Sequence, residues 1–163
     1  MQRNVILALF GVAVLVLAPG PAFHTQVPSR IDQVPVIQGA FLIGKGEANA
    51  GEGRRDYTVN RPIEEVVAFY RQRLGGVPVP SADELTYREH NARETLRPGS
   101  VSPVWIHAEC WPPKSTVEMG WLHSTGEGDL RFRIVITDET PDGIVPDGAQ
   151  PRTSISVSVS GSA

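Results

Sequence analysis

Residues 105 to 111 read Trp-Ile-His-Ala-Glu-Cys-Trp, which sets an imidazole, a carboxylate and the chain's single thiol between two of its three tryptophans. On a β-strand, side chains two apart project the same way with Cα atoms ~6.8 Å apart. His107 and Glu109 could therefore close two long ligands around one ion. His123, on a diagonal ~7–8 Å away across an antiparallel ladder, is the third candidate, so one expectation is a metal set of His107, Glu109 and His123. A zinc-bound hydroxide there, with Glu127 or Asp129 nearby, would make a metal-dependent hydrolase. Cys110 has the opposite parity to the histidine. It falls in line with Val104, Ile106 and Ala108, where a thiol behaves as a small inert hydrophobe. As the chain's one cysteine, it forms no internal disulfide.

The elements that must hold these residues are strands. Residues 104–111, 117–124, 129–137 and 152–160 alternate apolar and polar side chains and are separated by turn formers, the pattern of an antiparallel meander. Leu130, Phe132, Ile134 and Ile136 mark a core face on the third strand, and Ile155, Val157 and Val159 on the fourth. A hairpin centred on Gly126 sets Leu122 opposite Leu130 and Trp121 opposite Arg131. One centred on Lys114 sets His107 opposite Trp121 and Glu109 opposite Met119. Directly opposed side chains share a face, so Val104, Ile106, Ala108, Cys110 and Leu122 join the core, and Glu118 is a misfit assigned to a strand end. The other face collects Trp105, His107, Glu109, Trp111, Trp121, His123, Arg131 and Arg133, together with Met119 and Asp129. Such a face is either a solvated surface, with Arg131 stacked on Trp121 and Arg133 paired with Glu109, or a binding face anchored by Trp and Arg. The ligand of a binding face would be a glycan, another protein or a second copy of the same sheet.

Upstream, residues 40–44 and 54–59 read as two further strands, with Tyr57 and Val59 on one side. Between residues 60 and 76 lies an amphipathic helix. Asn60 is expected as its cap and Pro62 suits its first turn. Ile63, Val66, Val67, Tyr70 and Leu74 form its apolar stripe. Glu64 and Glu65 complement the positive end of its dipole and Arg71 and Arg73 the negative end, and Gly75-Gly76 stops it. The run from Tyr57 through Pro62-Ile-Glu-Glu-Val-Val-Ala-Phe-Tyr70, preceded by Val34-Pro-Val-Ile-Gln-Gly-Ala40, resembles a pattern found in small exported bacterial proteins of uncharacterised function. That resemblance covers residues 34 to 75 and implies a strand–helix–meander fold and export; it implies no catalytic residues. Residues 81–100 are ambiguous: Ser81 and Glu84 form a capping-box signal, yet Leu85 and Tyr87 alternate as in a strand.

Composition narrows the classes. The 163 residues suit one domain. Residues 1–22 have Arg3 ahead of an apolar run from Val5 to Ala18. This is shorter than the ~20 residues of a spanning helix and is read as a signal peptide cut after Ala22, with an uncleaved anchor as the alternative. Residues 23–38 are a leader and 39–160 the domain. A net charge of −3 without a basic stripe argues against nucleic acid, and membrane contact is expected only through the N-terminal segment, if uncleaved. The glycine loop 44–53 lacks the Ser or Thr and the helix start of a P-loop. The acidic stretch 138–148, despite Asp138, Glu139, Asp142 and Asp147, lacks the ligand spacing of an EF-hand and reads as Pro-Asp-Gly turns. No cofactor is implied. The sequence therefore predicts an α+β domain, one helix on one face of an antiparallel sheet of four to six strands. It also predicts an exported, periplasmic or envelope-associated, non-catalytic module that binds through the Trp/His/Arg face.

Overall fold

The computed structural model describes residues 27–47, 52–111, 114–140 and 150–162. The N-terminal segment 1–22 and most of the acidic connection expected over 138–148 lie outside the described residues.

The domain is α+β. Strands β1 (Phe41–Glu47) and β2 (Gly53–Val59) precede helix α1 (Ile63–Leu74). A three-residue strand β3 (Val77–Val79) and helix α2 (Ala82–Thr95) follow. The meander is β4 (Trp105–Trp111), β5 (Lys114–Ser124), β6 (Asp129–Asp138) and β7 (Thr153–Ser162). All seven strands form one sheet in the order β1-β2-β7-β6-β5-β4-β3. Every neighbouring pair is antiparallel except β3 with β4, which is parallel. The sheet is thus mixed and has one strand more than the six the sequence marked. Val77–Val79 escaped notice because it is short and centred on Pro78, a residue tolerated only at a sheet edge.

Helix α1 forms as its stripe requires. Ile63, Val66, Tyr70 and Leu74 are buried and Val67 is partly so. They pack on Tyr57, Val59, Phe132, Ile134, Ile136, Ile155 and Val157, the inward set of the sheet. Burial pushes the Tyr70 phenol above its ordinary range, with Tyr57 adding to the effect. The expected Asn60 cap is not used: Pro62 occupies the N-cap position and no side chain caps the helix. The helix ends as expected, at Gly75 with φ 70°. At Gly76, φ 137° and a virtual β-carbon 2.6 Å from Ile106 Cδ1 both demand glycine. The leader is part of this core, since Val34 and Ile37 are buried in it.

A second helix changes the architecture the sequence implied. Ser81 caps α2 by accepting from the Glu84 amide at 3.2 Å, so the capping signal outweighed the strand-like alternation of Leu85 and Tyr87. Leu85, Ala92 and Leu96 pack against Val79, Trp105 and Leu122, a small cluster on the face opposite α1. The expectation of a single helix, leaving that face open, is corrected. A glutamate, Glu89, interrupts the inward stripe of α2, which hid its amphipathic character.

Candidate functional site: the face beneath and beside the second helix

Strand β5 decides what this face carries. The structure pairs Trp121 with Phe132 and Leu122 with Arg131 across β5–β6. Across β4–β5 it pairs His107 with Glu118 and Ile106 with Met119. Both registers differ from the sequence reading by an odd number of residues, and an odd shift reverses a strand's faces. The two reversals cancel between β4 and β6, so only β5 is inverted.

Trp121 accordingly lies in the main core. It is 0% exposed, stacks on Phe132 at 5.0 Å between ring centroids, and donates its indole N–H to the Pro28 carbonyl at 2.8 Å. Neither the expected exposure of Trp121 nor its contact with Arg131 exists. His123, with the parity of Trp121 and opposite Leu130, falls on the α1 face, and its Nδ1 is buried without a hydrogen-bond partner among the described residues. The sheet therefore separates His123 from His107 and Glu109, and the set proposed for a metal-dependent hydrolase has no common site. Among the described residues no three His, Cys, Asp or Glu side chains come together to hold an ion. Trp105 keeps the expected face but is 4% exposed, covered by Leu85 and its neighbours. Cys110 and Trp111 belong to β4, but their side chains lie outside the described residues.

The residues that stay together are His107, Glu109, Arg131 and Arg133, and β5 adds Glu118, Gly120 and Leu122. Glu118, the misfit of the alternation, holds Arg133 at 2.6 Å and Arg131 at 3.7 Å. Glu89 reaches down from α2 to Arg131 at 2.8 Å. Glu89 lies over Gly120, where a β-carbon would come within 3.9 Å of its carboxylate. Both carboxylates are mostly covered, with Glu118 15% and Glu89 12% exposed. This charged layer joins α2 to the sheet beside the hydrophobic cluster of Leu85, Trp105 and Leu122. His107 is buried: Nδ1 sits 3.1 Å from the Val79 carbonyl and Nε2 3.1 Å from Glu109. The carbonyl bond raises its pKa above the ordinary histidine value; burial opposes this, and the Glu109 bond and the charges of Glu109 and Glu118 reinforce it.

Helix α2 lies mainly on β3, β4 and β5 and reaches β6 through Glu89 and Arg131. Beyond it the face continues as cross-strand rows of side chains that are polar except for Val135. One row runs Arg54, Ser158, Arg133; a second Asp56, Ser156, Val135, Glu118; a third Thr58, Ser154, Thr137, Thr116. Arg54 holds both oxygens of Asp56, at 3.0 and 2.9 Å. The Asp56 carboxylate lies against Gly44, where a β-carbon would come to 3.3 Å. A shallow depression of about 470 Å³ results, bordered by Ile43 and Gly44 and floored by Asp56, Ser154, Ser156 and Thr137. Sequence reading missed this half of the face, although the serine alternation of β7 marked it. No family model, curated protein or solved structure matches the chain.

Proposed function

We propose that the chain is an exported, non-catalytic module that binds a polar partner through the uncovered half of its second sheet face. The observation that carries this reading is the division of that face. One half is sealed by α2 and the Glu89–Arg131–Glu118 pairs, while the other presents hydroxyls, Arg54–Asp56 and Arg133 on a continuous ladder. Donors and acceptors fixed on paired strands suffer little loss of freedom on binding, which favours recognition of a hydroxyl-bearing or charged surface. A glycan fits this chemistry, met by guanidinium and carboxylate hydrogen bonds rather than by tryptophan stacking. Export rests on the charged, apolar N-terminal segment.

The test is titration of the folded domain with neutral and acidic polysaccharide fragments, comparing wild type with Arg54→Ala/Ser158→Ala. A loss of at least about tenfold in affinity, some 1.4 kcal/mol, is expected with the thermal midpoint little changed. An unaltered affinity would remove this surface from consideration. Amino-terminal sequencing of the secreted chain is expected to begin at Phe23 if the segment is cut after Ala22.

A further inference from the structure

The ring of His107 lies between two groups that have no hydrogen to give. Its Nδ1 meets the main-chain carbonyl of Val79 and its Nε2 meets a carboxylate oxygen of Glu109, each at 3.1 Å. A carbonyl only accepts, and so does an ionised carboxylate. Between an imidazole and a carboxylate the proton belongs on the imidazole, whose reference pKa is about two units higher. Both acceptors are supplied with a donor only when both ring nitrogens carry hydrogen, as they do in the imidazolium.

The charges around it agree. Glu109 is on the same strand, and Glu118 lies directly across on β5. Arg131 and Arg133 are taken up by Glu118, and Arg131 also by Glu89, the sheet-facing charge of α2. Strand β3 contributes the carbonyl and no charged side chain, being Val-Pro-Val. Apart from Val79, which is buried among Leu85, Trp105 and Leu122, that strand has little else to hold it: only three residues, a parallel ladder along one side, and a proline that lacks a donor. Through it runs the chain between α1 and α2.

We propose that His107 is a proton-operated latch whose doubly protonated ring fastens β3, and with it α2, to the sheet, and that loss of the proton loosens this layer over Trp105 and Leu122. The latch is separate from the uncovered binding half and does not depend on that reading. A neutral ring has one N–H for two acceptors. If the proton stays on Nε2 with the carboxylate, the stronger acceptor, the buried Val79 carbonyl is left without it. If it stays on Nδ1, a nitrogen lone pair faces the carboxylate. The sign follows from linkage. Because the folded ring binds its proton more tightly than the unfolded one, the stabilisation is complete below the ordinary histidine range. It disappears as pH rises through the higher folded value.

Hydrogen exchange on the full domain between about pH 5 and 9, spanning the histidine range, tests this. After correction for intrinsic rates, residues 77–96 are expected to open several-fold more as pH rises past neutrality, while residues 63–74 do not respond. His107→Gln is expected to abolish that dependence. A response that survives the substitution has its origin outside His107 and overturns the latch, as does a flat wild-type profile. Should the variant fail to fold, nitrogen NMR of the wild-type ring decides: titration at or below the free-histidine value overturns the proposal, and a raised value with both N–H groups present supports it.

Discussion

An indole enclosed on every side resists truncation, because the space it leaves cannot close. Trp121→Ala is therefore expected to destabilise the domain by about 3–5 kcal/mol in denaturant titration, and survival of the fold at full stability would mean the side chain is not where the core packing puts it. Trp121→Phe keeps the stack on Phe132 but strands the Pro28 carbonyl that the indole N–H now satisfies, so a smaller loss is expected. Glu118 is the other residue on which its surroundings depend. Two guanidinium groups share its largely covered carboxylate, and Glu118→Ala takes that carboxylate from Arg133 and leaves Arg131 with Glu89 alone. A cost of about 1–3 kcal/mol is expected, measurable by thermal unfolding, and Glu118→Gln should recover part of it. At this scale the sequence was half legible. Glu118 stood out as the residue that broke the alternation, but the break had been assigned to a strand end. It marked instead the place where the strand turned its charged side to the arginines.

Elements were recognised where their own residues settled the matter. Helix α1 has a full apolar stripe and a glycine stop; it ends where expected and begins two residues after the expected Asn60 cap would place it. Its exit is tightly specified: Gly76 packs against Ile106 with a positive φ. Gly76→Ala is expected to lower stability by more than about 1 kcal/mol, whereas alanine at exposed Ala68-type positions is already the favoured helix former. Helix α2 is weaker, being held by Leu85, Ala92 and Leu96 on one small cluster and by Glu89 on Arg131. Leu85→Ala is expected to raise proteolysis and amide exchange across residues 82–95 while the main unfolding transition persists; a single concerted loss of all structure would show instead that the two layers fold as one. The inversion of β5 carries a lesson about signals. Its own alternation, Val117, Met119 and Trp121 against Glu118, Gly120 and Leu122, already points the tryptophan inward. Assumed loop centres overrode that pattern, and pairing register is the quantity loops specify least when their lengths are inferred.

Seen whole, the molecule is a sheet covered by α1 and the leader on one face and by α2 on part of the other. One edge is short and blunted by Pro78. The other, β1, leaves Phe41, Leu42 and Ile43 exposed, at 68%, 53% and 62%, on an outermost strand. Edges of this kind invite pairing with another chain. Ile43→Lys is expected to reduce light scattering during heating without moving the unfolding midpoint, and an unchanged aggregation rate would exclude that edge as its origin. By itself the sequence determined the class of fold, the main helix with its apolar stripe and glycine stop, the six longer strands and the inward residues of β6 and β7. Each of these follows from periodicity within one segment, where near neighbours along the chain also dictate which way a side chain points. Tertiary structure alone decided the faces of β5, the burial of Trp105 and Trp121, the separation of His107 from His123, and the ion pairs around Glu118. Those depend on how distant segments are registered and on what a second helix covers, and a shift of one residue in pairing exchanges core for surface while leaving every local pattern intact.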